Sequence, residues 1–104
     1  MATVYDPSDG SGDAGRLGLP PWPQALDRLA ELNQALRALA AAHRALVADV
    51  HARFLGHGLA AGDPTRPAAR PPDRARWYCD PIEPNAWGAS QIRAAYWDSS
   101  ALPA

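Results

Sequence analysis

Between Trp77 and Ser90 the chain gathers two of its four Trp, its single Cys, two carboxylates and two prolines. Asp80 and Glu83 stand three positions apart, Pro84-Asn85 follows, and Gly88 comes three residues after Asn85. Such spacing sets polar groups side by side at the entrance of a helix, where backbone N–H groups have no intrahelical partner and can hold an anion or clamp a ligand. Three histidines supply the imidazoles. His43 ends a long helical stretch and there complements the helix dipole, whereas His51 and His57 follow an extended apolar run and are the better candidates for proton transfer. Asp49, His51 and His57 do not have the spacing of a zinc site, so no metal is expected. Cys79 has aromatic and acidic neighbours, surroundings that disfavour a thiolate, and is expected to be a packed, unreactive thiol. Ser8, Ser11, Ser90, Ser99 and Ser100 are the available hydroxyls, and none lies in a strand-turn-helix elbow or a Gly-Asp-Ser context. No complete set of nucleophile, base and orienting group can be assembled from these residues.

The elements that must position these groups can be read in order. Ala2 to Tyr5 has the β-branched and aromatic content of a strand, stopped by the turn chemistry of Asp6 to Asp13, which predicts a surface loop. The glycines of that loop do not fall where an EF-hand needs its tight turn, so calcium is not expected. A helix is predicted from Gln24 to His43, with Leu29, Leu32, Leu36 and Leu39 on a buried face and Asp27, Arg28, Glu31, Gln34 and Arg37 toward water. Leu46 to Val50 predicts a second strand covered on both faces. Strand, helix and strand in this order make a βαβ unit with parallel strands, which brings Tyr5-Asp6 and His51 to the carboxyl edge where open α/β sheets bind ligands. Arg53 to Leu59 predicts a short helical turn ended by Gly, and residues 61–76 form a Pro- and Arg-rich loop insertion without periodicity. Asn85 caps a last helix, Ala86 to Asp98, expected to bury Ala89, Ile92 and Tyr96 with Trp97 beside them. Residues 1–104 thus predict a single, partial α/β domain. Two parallel strands alone are marginal, so sheet neighbours are expected from a second copy or from a larger α/β domain.

The order of these segments resembles the C-terminal part of an SGNH (GDSL-type) serine hydrolase. The resemblance runs through Val4 to Gly10 after a strand, the long helix, Val47 to His51 with Phe54 to Gly58, and Ile82 to Ser90. It implies a flavodoxin-like three-layer α/β/α fold with a short parallel sheet, hydrolysis of carboxylic esters, and no cofactor. Carried over position by position, Asp80 falls at the family's Asp, Glu83 at its His, and Pro84-Asn85-x-x-Gly88 at the Pro-Asn-x-x-Gly that follows. Tyr5, Asp6 and Asn85 are then substrate-binding candidates. A carboxylate is a weaker base toward a Ser hydroxyl than an imidazole. Either another residue supplies the base, His57 first and His51 next, or the site does not catalyse; Glu83 equally suits an acceptor of N–H bonds at the helix start. The family's Gly-Asp-Ser block and its Gly and Asn oxyanion blocks do not occur in these residues. The resemblance therefore implies a C-terminal fragment, inactive alone, that meets an ester substrate only when an upstream segment completes it. The other reading is a non-catalytic α/β interaction protein that completes its sheet by forming a homo-oligomer.

Composition bounds both readings. A hydrophobic content of 47%, a charged content of 20% and a formal net charge of −1 suit a folded domain with no general attraction to nucleic acid or anionic membrane. Arg66, Arg70, Arg74 and Arg76 lead to Trp77 and Tyr78, a pattern that can stack single-stranded nucleic acid. The interspersed prolines, Asp63 and Asp73 make a solvated loop the expectation instead, with no nucleic-acid partner. One Cys excludes an internal disulfide. No run approaches the ~18 apolar residues of a membrane span, and no basic region precedes an apolar run at the start, so no membrane contact and a cytoplasmic location are expected.

Overall fold

A run of Ala, Leu, Arg and Glu with no internal Gly or Pro forms the longest element, α1 (Ala25–Ala42), in a computed structural model that describes residues 1–71, 73–80 and 82–100. A 3-10 turn (Gly15–Leu17) precedes it. After it come α2 (Val50–Phe54), β1 (Tyr78–Cys79), β2 (Glu83–Pro84) and α3 (Ala86–Ser100).

Helix α1 is rotated away from the leucine stripe that its sequence suggests. Its fully buried residues are Asn33 and Ala40, with Leu29 and Leu36 half-buried on the same line, while Leu32 and Leu39 are 47% and 48% exposed. Asn33 accounts for the rotation. Its Oδ1 accepts the Val4 N–H at 2.7 Å and its Nδ2 donates to the Val4 carbonyl at 3.0 Å. A buried amide needs such partners, so the helix turns Asn33, and not Leu32, onto the N-terminal segment.

The expected parallel sheet is not formed. The N-terminal segment and residues 46–49 do run parallel, but their pairing is one bridge, Ala2 with Ala48, made by Thr3 N–H to the Ala48 carbonyl at 3.1 Å and Ala48 N–H to the Met1 carbonyl at 2.8 Å. Two local interactions stop it from growing. Asn33 occupies the backbone of Val4, and Asp49 accepts the Ala52 N–H at 3.3 Å, so that Val50 begins α2 instead of extending a strand. Among the described residues the only sheet is antiparallel, Tyr78 opposite Pro84 and Cys79 opposite Glu83. Among the described residues, three helices and one short hairpin stand in place of the three-layer α/β/α arrangement.

Phe54, fully buried, is the centre of the core. Tyr5 stacks on it with ring centroids 5.4 Å apart, and Trp77 and Tyr78 meet it edge-on at 5.1 and 5.6 Å, arrangements that satisfy the aromatic quadrupoles. Ala48, Val50 and Ala95 complete the buried cluster. The hairpin leads directly into α3, where Asn85 Oδ1 accepts the Gly88 N–H at 2.9 Å as the expected cap. That helix buries Gly88 and Ala95 and leaves Trp97 76% exposed; Ala89 and Tyr96, expected inside, face out. Residues 61–71 run through successive turns and residues 73–76 are irregular, without helix or strand.

The acidic segment after Tyr5 is a second correction. Asp6, Ser8 and Asp9 are buried rather than on a surface loop. Asp9 Oδ1 accepts the Gly56 N–H at 2.9 Å and its Oδ2 accepts those of Gly58 and Ala60, both at 2.8 Å. The turn chemistry predicted there is present, but it is used to clamp a distant loop.

Candidate functional site

A cavity of about 840 Å³ opens between the N-terminal turn, the Pro-rich approach to α1, and the hairpin. That volume falls in the range of small-molecule sites. Leu17 and Leu19 line it from the 3-10 turn onward, Leu26 and Leu29 from α1, and Trp22 from the stretch between. Tyr5, Asp6 and Ser8 line it from the N-terminal turn, and Ile82 and Glu83 from the hairpin. The prolines flanking Trp22 keep that stretch extended, which leaves its apolar side chains facing the cavity rather than each other.

The sequence candidates are placed as follows. Tyr5, Asp6 and Glu83 are brought together in the lining of this one cavity. Glu83 is exposed. The Tyr5 phenol is held above its usual pKa range, first by burial and then by the negative charge of Glu83, which keeps its proton in place at neutral pH. Asp6 Oδ1 accepts the Ser8 N–H at 2.9 Å and the Ser8 hydroxyl at 2.6 Å, and its Oδ2 accepts the Gly10 N–H at 2.7 Å. The Ser8 oxygen in turn accepts the Gly12 N–H at 3.0 Å. Ser8 is therefore a cavity-lining hydroxyl held on a carboxylate, yet it is committed to shaping the turn, and no imidazole lines the cavity with it.

Asp80, Asn85, His51 and His57 are not in that lining. Asp80 is exposed in the turn between β1 and β2 with φ of 50°, a left-handed conformation that Asp tolerates better than most residues. Asn85 is spent on structure: besides capping α3, its Nδ2 donates to the Arg76 carbonyl at 2.8 Å. His51 lies in α2, its N–H bound by the Thr3 hydroxyl at 3.0 Å. His57 is buried and stacked on Trp77, ring centroids 3.5 Å apart and planes within 3°. Its Nδ1 lies 2.7 Å from the Ala75 carbonyl, which makes Nδ1 the protonated nitrogen. Through that bond to Ala75, His57 ties down the end of the 61–76 loop, while its Nε2 stands 3.9 Å from the Asp73 carboxylate, beyond hydrogen-bond distance. Cys79, expected to be packed, is exposed, with its thiol 3.6 Å from the Pro84 carbonyl.

Behind Tyr5 the Tyr78 ring meets it edge-on, centroids 5.5 Å apart. The Tyr78 hydroxyl is buried without a hydrogen-bond partner among the described residues. Burial, followed by the carboxylates of Asp9 and Asp6, raises its pKa, so this phenol stays neutral. No group of three His, Cys, Asp or Glu side chains able to hold a metal ion occurs among the described residues, and no helix among them is long and apolar enough to cross a membrane.

The cavity walls at Leu17, Leu19 and Trp22 were not legible as a site. The signal present in the sequence was an apolar series spaced through Gly and Pro, where no helix or strand period can hide it from water. No protein-family model, curated protein or solved structure matches the chain.

Proposed function

We propose that the chain forms the substrate-holding wall of an ester-hydrolase site of the SGNH type, with the ester's apolar part in the 840 Å³ cavity and Glu83 beside the reacting end. The observation that carries this reading is the convergence of Tyr5, Asp6 and Glu83 on one apolar cavity, although 77 positions separate Asp6 from Glu83 in the chain. Neither His57 nor His51 shares that lining, so the proton-transfer role expected of them is left to Glu83 or to a group from outside these residues. The nucleophile is likewise external, because no Gly-Asp-Ser block occurs among the 104 residues. The test is the coding sequence on the 5′ side together with a labelling experiment. A Gly-Asp-Ser block is expected in the same or a neighbouring frame, and the combined protein is expected to react with a fluorophosphonate probe that the 104-residue chain alone leaves untouched. Absence of any such block, or labelling of the 104-residue chain alone, overturns the reading.

The interaction-protein reading is favoured by a different observation: Leu46, Trp87 and Trp97 are 60%, 69% and 76% exposed. An interaction protein would cover these side chains against a second copy. Sedimentation velocity separates the two readings, since a monomer across micromolar concentrations removes self-association.

A further inference from the structure

The charges that line the cavity are unequally compensated. Three charged side chains belong to it: Asp6, Arg28 and Glu83. Both oxygens of Asp6 already accept bonds from the turn that it closes. Arg28 is paired with Glu31 at 3.0 Å. Glu83 is exposed, and among the described residues its carboxylate has no ion-pair partner. Of the lining carboxylates, Glu83 is thus the one whose oxygens have no partner among the described residues, and it faces a largely apolar space that also presents the rings of Tyr5 and Trp22. A carboxylate at the edge of an apolar cavity repels an anionic head group and gains nothing from a neutral one. An ammonium, by contrast, is attracted both by the carboxylate and by an aromatic face.

We propose that this cavity selects amphipathic monocations: ligands with an aliphatic or aromatic body seated against Leu17, Leu26 and Leu29 and a single ammonium group on Glu83. The inference rests on the proposed function for its meaning as substrate selection, the ester then being one whose apolar part carries a positive charge. Binding itself rests on the cavity alone. The experiment uses non-ester probes for that reason. The 104-residue chain is titrated with decyltrimethylammonium, decanoate and decanol, each below its micelle concentration, with calorimetry and Trp fluorescence as readouts.

The expected result is saturable one-to-one binding of the cation, about threefold to tenfold tighter than that of decanoate, with the preference shrinking as salt is added. Glu83→Gln, an exposed and isosteric change, is expected to abolish that preference while leaving decanol binding intact. Asp27→Asn, the same charge change on α1 outside the cavity, is expected to leave it unaltered. Equal binding of cation and anion, a preference that survives Glu83→Gln or is lost with Asp27→Asn, or no saturable binding of any probe overturns the inference. Failure here with a Gly-Asp-Ser block found upstream leaves the hydrolase reading standing. Cation-selective binding without such a block removes the hydrolase reading and keeps the site.

Discussion

Asp9 is 7% exposed, and its two oxygens accept three backbone N–H groups from Gly56, Gly58 and Ala60. Burial pushes this carboxyl above the usual range, the three N–H bonds offset part of that push, and the nearby Asp6 adds to it. An amide in its place would present NH₂ to at least one of the three donors, whichever way it is flipped, and a buried donor left without an acceptor costs about 1–3 kcal/mol. Asp9→Asn is therefore expected to lower stability by about that amount, even though it removes a buried charge. Urea unfolding is the measurement, and an unchanged or raised midpoint would refute the clamp. Pro7 acts with Asp9, since its carbonyl accepts the Leu59 N–H at 3.0 Å. A Cβ on Gly58 would collide with that carbonyl, so the backbone of Gly56 to Ala60 is held by the Asp9 side chain and the Pro7 carbonyl, about fifty residues away.

At the scale of elements, α3 approaches β2 and the backbone just before β1 closely enough that its position depends on Gly88. The Trp77 carbonyl accepts the Asn85 N–H at 2.9 Å, and a Cβ on Gly88 would strike that carbonyl and come within 3.1 Å of the Pro84 side chain. Two effects oppose each other in Gly88→Ala. Helix propensity favours Ala by about 1 kcal/mol, while overpacking against backbone that cannot yield costs about 1–3 kcal/mol. The clash is against a carbonyl engaged in the hairpin, so net destabilisation is expected. A thermal midpoint equal to or above that of the parent chain would show that the helix can slide away. The helices themselves were legible. Composition located α1 to within a residue at each end, and Asn85 with Gly88 marked the start of α3. Their buried faces were not, because Asn33 and Gly88 are chosen by hydrogen bonding and close approach, which hydrophobic periodicity cannot register. The strands failed for a related reason. Val47 and Val50 carry β propensity, but the Asp49 cap turns the chain into α2 first. Of the site, Tyr5, Asp6 and Glu83 were legible as chemistry, while the cavity that unites them depends on tertiary packing of the Leu17 to Trp22 stretch.

The whole chain has a radius of gyration of 14.3 Å, against about 13 Å for a compact domain of 100 residues, in keeping with the exposed leucines of α1 and the open cavity beside it. Its ends and loops are joined by a few carboxylates whose pKa shifts have opposite signs, and this makes the acid response of the whole molecule predictable. At Asp49 burial works to raise the pKa, but the Thr3 hydroxyl, the Ala52 N–H and Arg37 outweigh it and hold the carboxyl below the usual range. Asp63 is lowered by the hydroxyl and N–H of Thr65. A carboxyl lowered by folding stabilises the fold above its unfolded value of about 4 and loses that contribution as pH falls through its folded value. Asp9 has the opposite sign. Its pKa is raised by folding, so its contribution is complete below the unfolded value and is lost as pH rises through the folded one. On acidification from about pH 6 to pH 2, Asp49 and Asp63 withdraw stability while Asp9 restores some. Asp49→Asn is expected to flatten the decline in urea midpoint over this range, and Asp9→Asn to steepen it, with both variants less stable than the parent at the upper end. Midpoints measured at several pH values distinguish the outcomes. Curves that run parallel for all three proteins would mean that neither carboxyl is coupled to folding as the geometry requires.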